Sequence, residues 1–293
     1  MKYTKKNQKN QKNIKRNYNK NSKKISKYSD VKYEFVTKGQ GGCIYKIISK
    51  KVPQFIRKIT FFNYNELKIN QKILKASKLN PSLHNHIVII KNYKIVNEIP
   101  KQMIENHCDA KRLINYKNNG DDNKKYLILD LPIEGQPLVE KIKYYLNNNT
   151  VLINLINKAL KSIQSLHNIG IYHGDLHFAN ILINESDQIK LLDFEYSGES
   201  KTKTPGDLFR LFFIRPMVLK LFKKNKNDII LKELNKNKNI MYNIDILYFI
   251  ISTLIDINKS KLSDNEIIEI LRWDEPKYTY ETAVKPYLDI ESL

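Results

Sequence analysis

Four polar residues in two short segments constrain this 293-residue chain more than any other feature. Asp175, His177 and Asn180 stand in His173-Gly174-Asp175-Leu176-His177-Phe178-Ala179-Asn180, directly before the apolar run Ile181-Leu182-Ile183. Asp193 interrupts a second run, Ile189 to Phe194. Short apolar runs of this kind read as buried strands. A carboxylate beside such a strand is costly unless something compensates it. Two of them, with an asparagine between, call for a cation or a reaction.

The elements upstream lead toward that stretch. Leu152, Leu155, Ile156, Ala159, Leu160, Ile163 and Leu166 recur at helical spacing, and Gly170 follows as a C-terminal stop. Nearer the start, Tyr33 and Phe35 on one side and Ile44, Ile47 and Ile48 on the other flank Gly39-Gln40-Gly41-Gly42. That pattern predicts a strand–turn–strand hairpin whose glycines let backbone N–H groups come close to phosphate oxygens. No G-x-x-x-x-G-K-[ST] occurs, so a Walker-type nucleotide loop is not supported. Phe55 to Ile59 reads as a strand with Ile56 and Lys58 on one face and Arg57 pointing the other way, toward solvent. Between Asn63 and the Asn80-Pro81 stop, Leu67, Ile69, Ile73, Leu74 and Leu79 predict a helix. Its single acid, Glu66, can pair with Lys58; Asn70, one turn on, takes the same place if the count runs from the helix end. Ile87 to Ile95 reads as a strand, Glu98 to Lys125 as a polar insertion, and Tyr126 to Pro132 as a buried strand running into a breaker.

The pattern H-x-D-x-x-x-x-N followed by D-F resembles the catalytic loop and metal-binding turn of the protein-kinase-like superfamily. The resemblance implies an α+β, bilobal fold: a small antiparallel-sheet N-lobe over 31–130, a mainly helical C-lobe over 131–293, and a basic tail over 1–30. It implies ATP and Mg²⁺ as cofactors. Asp175 is then the residue that accepts a hydrogen bond from the acceptor hydroxyl, with Asn180 and Asp193 as the metal ligands. Lys58, paired with Glu66, would hold the α- and β-phosphates. Gly39, Gly41 and Gly42, with Ile44 on the strand that follows, belong to the nucleotide side. Backbone groups of Asp130 and Leu131 would meet the adenine edge, and Leu182 would lie beneath it. His173 would support the loop, and Asp207, at the start of a helix kinked at Pro216, would brace it.

The departures concern the acceptor. Thr37 replaces the first glycine of the usual loop. Gly174 and His177 stand where typical protein kinases carry Arg and Lys, and Glu195 makes the turn D-F-E. These features look like aminoglycoside and choline kinases. Only 13 residues separate Asp193 from Asp207, with no A-P-E. The glycine hairpin and its Ile44-Tyr45-Lys46 strand look more like compact atypical or viral Ser/Thr protein kinases, and the C-terminal lobe is small and Lys-rich, where small-molecule kinases usually carry a larger lobe with acidic pockets for cationic acceptors. A protein Ser/Thr acceptor is preferred, a small-molecule acceptor is the alternative, and a catalytically inert binding module is the third reading.

Charge adds a partner class. The chain carries +21, of which residues 1 to 28 contribute +11 from ten Lys and Arg16. Such a segment lacks the periodicity to bury a face and suits contact with a polyanion. Two cysteines, Cys43 and Cys108, form neither a metal spacing nor a disulfide framework, so a reducing compartment is expected. No apolar run follows the basic start, and Ile244 to Ile257 carries Asp245 and Asp256 and is short for a bilayer. A soluble intracellular protein, cytoplasmic or nuclear, is the expectation.

Overall fold

The computed structural model describes residues 31–38, 42–50, 53–99, 125–199, 239–258 and 260–292. The basic tail, Gly39 and Gly41, the polar insertion from residue 100 on, and the helix expected from Asp207 lie outside them.

Strands β1 (Lys32–Lys38), β2 (Gly42–Ile48), β3 (Phe55–Phe61), β4 (Asn92–Val96) and β5 (Tyr126–Leu131) form one antiparallel sheet in the order β1-β2-β3-β5-β4. Alternation decides the faces. On β2, Cys43, Tyr45 and Ile47 are buried while Ile44 and Lys46 face the other side. Gly42 is required where it stands, because a Cβ there would come 2.3 Å from the Ile59 carbonyl oxygen across the ladder. Cys43 is disulfide-bonded, against the expectation from spacing. Pairing depends on where folding brings two Cα atoms, which sequence distance does not report.

Helix α1 (Tyr64–Leu79) packs beside the sheet. The Asn63 side chain caps it by accepting the N–H groups of Asn65 and Glu66, and Asn80-Pro81 ends it. Leu67, Ile69 and Ile73 are buried as the spacing predicts, but Leu79 is 83 % exposed. The run Ile87 to Ile90 does not enter the sheet either, since β4 begins at Asn92. All four of its residues are buried, so no polar face is left to line a one-sided strand. It pairs in parallel with Leu191, with Val88 N–H donating to the Leu191 carbonyl at 2.9 Å and Leu191 N–H donating to the His86 carbonyl at 2.9 Å.

The second lobe is mainly helical. After β6 (Gln136–Pro137) come α2 (Leu138–Tyr145) and α3 (Asn149–Asn168), whose apolar stripe from Leu152 to Leu166 is fully buried. Then follow β7 (Ile171–Tyr172), β8 (Ile181–Ile183), β9 (Ile189–Leu191) and β10 (Gly198–Glu199). β6, β8 and β9 make one small sheet, and β7 with β10 another. Helix α4 (Ile240–Thr253) is mostly apolar and buried nearly all round, which suits the centre of a lobe, and α5 (Asp264–Leu271) packs on it. With the turn Leu254–Asn258, α4 spans 19 residues, long and apolar enough to cross a membrane by length and composition, longer than the sequence suggested. It is 78 % buried inside the lobe, as expected of a core helix.

Truncating Leu160 to Ala in the middle of α3 is expected to cost about 2–5 kcal/mol, because its fully buried side chain leaves a cavity. Leu79→Ala, on exposed surface, is expected to change stability by less than about 0.5 kcal/mol. Urea titration of the two variants checks both values.

Candidate active site

The loop between β7 and β8 is held from below by one carboxylate. Asp245 lies in the first half of α4 and is wholly buried. Its Oδ2 accepts the backbone N–H of His173 at 2.5 Å and its Oδ1 accepts that of Gly174 at 2.8 Å. Oδ2 also meets His167 Nε2 at 2.9 Å, and the other ring nitrogen of His167 meets the Tyr278 hydroxyl at 2.7 Å. Tyr242 stacks on the His167 ring at 4.2 Å. Sequence reasoning placed the brace at Asp207, which lies outside the described residues; Asp245 fills that role. Its signal was visible: a charged residue inside the most apolar window of the chain, which no surface role explains. Gly174 has φ +81°, a conformation a glycine adopts without strain.

Above this brace the loop turns on itself. His173 is buried, its Nε2 donates to the Leu192 carbonyl at 2.9 Å, and its ring lies 5.2 Å from Phe194. Ser197 Oγ donates to the His173 carbonyl at 2.8 Å. Asn180 directs its amide nitrogen to Asp175, reaching the backbone oxygen at 3.0 Å and Oδ2 at 3.2 Å. The amide oxygen of Asn180 is therefore the atom left to a ligand. His177 Nε2 lies 3.2 Å from the same amide nitrogen and 3.4 Å from Asp175 Oδ2.

Asp193 is brought to this loop with φ +65°, uncommon for a residue with a side chain. The strain is offset by what its carboxylate meets. Lys58 Nζ donates to Asp193 Oδ1 at 2.7 Å and to Glu66 Oε1 at 3.1 Å, with Glu195 Oε2 at 3.8 Å. Lys58 and Glu66 belong to β3 and α1, so the contact spans the two lobes. Burial works against the Lys58 ammonium, but Asp193, then Glu66, then Glu195 outweigh it and raise its pKa. Burial also works against the Asp193 carboxylate, and Lys58 overcomes it, so Asp193 titrates below its ordinary range. Glu66 moves upward, because burial and its two acidic neighbours exceed the pull of Lys58. Its Oε2 is buried with no hydrogen-bond partner among the described residues. Asn70 does not compete for the lysine; its Nδ2 donates to the Glu66 carbonyl at 2.9 Å.

The nucleotide-side residues fall less uniformly. Gly42 and Ile44 lie on β2, Ile44 opposite Lys58 in the ladder. Leu182 is buried on β8 opposite Lys190, and Lys190 Nζ meets Glu134 of the segment between the lobes at 2.5 Å. Asp130 is engaged through both backbone and side chain. Its carbonyl accepts the Lys91 N–H at 2.8 Å inside the sheet, and its carboxylate takes Arg57 Nε at 2.6 Å and a second guanidinium nitrogen at 3.0 Å. Leu131 is the last residue of the ladder, opposite Ile56. Arg57 is accordingly turned onto Asp130 and the Tyr33 hydroxyl rather than into solvent, because a bidentate carboxylate is available across the strand.

One ammonium facing three carboxylates leaves a surplus of negative charge at the mouth of the loop. Asp193, with the Asn180 oxygen, offers hard oxygen donors, the type Mg²⁺ takes. Among the described residues no cluster of three His, Cys, Asp or Glu could hold a metal alone. A pair of oxygens fits an ion that completes its shell with water and phosphate.

The sequence profile of the protein kinase domain matches residues 31–212, more than half of the chain. The chain belongs to the protein kinase domain family. Three relatives come from Dictyostelium discoideum. A probable serine/threonine-protein kinase is 31 % identical over 99 residues, covering 32 % of this chain and 14 % of that protein. The serine/threonine-protein kinase pakG is 28 % identical over 133 residues, 43 % of this chain and 11 % of its own length. The serine/threonine-protein kinase dst2 is 31 % identical over 101 residues, 32 % and 8 % respectively. The aligned part thus spans about a seventh or less of each of these relatives. The matched kinase segment ends before α4, so the Asp245 brace comes from the structure alone.

Asp245→Ala leaves two backbone N–H groups of the loop buried without an acceptor. It is expected to cost about 3–5 kcal/mol in urea unfolding. His167 gives the fold a pH dependence. Burial lowers its pKa, with Asp245 opposing, so the unfolded chain binds the proton first. Stability is then complete above the unfolded value, about 6.5, and falls as pH drops toward the lowered folded value. His86 shifts the same way through burial. His167→Gln is therefore expected to make the fall in urea midpoint between pH 7 and 5 shallower without abolishing it.

Proposed function

We propose that this domain transfers the γ-phosphate of ATP, with Mg²⁺, to the hydroxyl of a serine or threonine in a protein. The observation that carries the reading is the convergence at Lys58. A buried ammonium from β3 meets Glu66 of α1 and Asp193 of the other lobe, beside an Asp175–Asn180 pair fixed by hydrogen bonds. Phosphoryl transfer asks for alignment and charge neutralisation rather than a covalent intermediate. Each residue has a task of that kind. Asp175 accepts a hydrogen bond from the incoming hydroxyl and takes its proton; Asn180 keeps that carboxylate oriented. Lys58, held by Glu66, offers its remaining donor capacity to phosphate oxygens. Asn180 and Asp193 would hold the metal, which supplies positive charge against the phosphates. Gly39, Gly41 and Gly42 would bring backbone N–H groups to the same oxygens from the β1–β2 turn, and Ile44 and Leu182 would bracket the base. Backbone groups of Asp130 and Leu131, at the end of β5, would meet the adenine edge.

The protein acceptor is favoured by the three relatives, all named as serine/threonine-protein kinases. The small-molecule reading keeps one specific support, Glu195 directed at Lys58 in the place of a glycine. The compact viral or atypical character, the polyanion-binding role of residues 1–30 and an intracellular setting belong to the same proposal.

A phosphotransfer panel tests it: acidic and basic proteins, choline and an aminoglycoside, each with ATP and Mg²⁺. Wild type is expected to label a protein on serine or threonine. Asp175→Asn is expected to lower turnover by about 10²-fold or more. Asp193→Ala is expected to abolish the metal dependence together with the activity. Transfer to choline or the aminoglycoside alone moves the assignment to the small-molecule class. If wild type and both variants are equally inert and nucleotide leaves the melting temperature unmoved, the domain is a binding module instead.

A further inference from the structure

Helix α1 is tied to its surroundings by two sets of charged contacts: the buried Lys58–Glu66 pair, whose lysine reaches Asp193 of the second lobe, and a second set at the rim. Lys68 Nζ meets Glu199 Oε1 at 2.6 Å, and Lys72 Nζ meets Glu199 Oε2 at 3.4 Å. The two lysines are one helical turn apart, so they share a face and grip one oxygen each. Asn65, one turn before Lys68 on that face, donates from Nδ2 to the Ser197 carbonyl at 2.7 Å. The far side of this contact is not a passive surface. Glu199 lies on β10, opposite Ile171 of β7, which leads directly into His173. Ser197 Oγ donates to the His173 carbonyl. The residues that hold the helix from outside are therefore tied to the strand and backbone that begin the catalytic loop.

A pair of lysines one turn apart is a receptor for a doubly charged or bidentate anion, and phosphorylation of a nearby segment is one way to supply it. Here a carboxylate encoded in the chain already occupies the pair. Gly174 also places no cation beside Asp175 to receive a phosphate. We propose that Glu199 is a positioning residue: it clamps α1 through Lys68 and Lys72, so that Glu66 reaches Lys58 without phosphorylation of the chain. The clamp acts through the helix and touches neither nucleotide nor acceptor. It rests on the phosphotransfer reading above for its consequence, but not for its geometry.

Charge exchange separates the clamp from mere stability. Hydrogen exchange of the α1 amides and phosphotransfer kinetics are measured for the full chain as wild type, E199K, K68E and K68E/E199K, and for wild type after phosphatase treatment. E199K is expected to speed exchange along α1 and lower turnover about tenfold, as an attractive pair becomes repulsive. The double variant is expected to slow α1 exchange again and recover at least half of the lost turnover, while phosphatase changes neither readout. Recovery in the double variant is what a general loss of fold does not produce. The proposal is overturned if E199K leaves α1 exchange unchanged, if the double variant is no better than E199K, or if phosphatase loosens α1 as E199K does. Absence of turnover in the wild type overturns the phosphotransfer reading alone, and α1 exchange then still decides the clamp.

Discussion

A lysine ammonium taken out of water has to be matched by charge, and around Lys58 that requirement organises both lobes. Its carboxylate partners come from α1 and from the turn after β9, so neither lobe can satisfy it alone. Breaking one partner of such a buried pair strands the other, which is why pairs of this kind are rigid in geometry even where their net contribution to stability is small. The unusual backbone at Asp193 follows from the same constraint. A positive φ is tolerated there because the carboxylate it presents is fixed by Lys58 and by the Glu195 N–H.

The loop that carries Asp175 depends on a second buried charge of the opposite kind. Asp245 is the one charged residue of a mostly apolar, buried helix, and its two oxygens are satisfied by two consecutive backbone N–H groups and a histidine. Peptide N–H groups bound to a buried carboxylate are strong, charge-assisted donors. The loop therefore takes its shape from the centre of the lobe and not from its own residues. Asn180 adds the finer alignment, linking Asp175 to the start of β8. Position and orientation are thus set by different residues, on different elements.

What was legible in the sequence follows this division. Local pattern carries the element order: the α3 stripe, the Gly170 stop, the capped α1 and the alternation on β2 all read directly from spacing. The site residues near each other in sequence, Asp175, Asn180 and Asp193, were legible because polar residues in apolar runs are anomalous. Lys58 and Glu66 were legible by order along the chain, and the structure brings them within 3.1 Å. What could not be read is what depends on long-range geometry. Asp245 stood out as a charge in an apolar window, but the loop it meets lies some seventy residues earlier in the chain. Arg57 finds Asp130 on the neighbouring strand, a pairing that no periodicity reveals. Ile87 to Ile90 failed as a sheet strand for a related reason: a run buried all round carries no information about which neighbour it pairs with.

Several contacts between the lobes share one further property. They end on a short segment that also ends on the loop carrying Asp175. Lys58 reaches Asp193, just beyond the Leu192 carbonyl bonded by His173; Val88 reaches Leu191; Asn65 reaches Ser197, whose hydroxyl returns to His173. Lys190, on β9 in the same stretch, anchors Glu134 between the lobes. Residues 190 to 199 are therefore a common rail, touched by the sheet lobe, the α1 helix and the loop beneath. A displacement of α1 must pull on this rail, and a displacement of the rail must alter the backbone around His173. Coupling of that sort needs no hinge or relay of moving parts. It follows from several hydrogen bonds and ion pairs sharing one short, half-buried strip of chain, so that the geometry of Asp175, Asn180 and Asp193 and the position of Lys58 depend on one another.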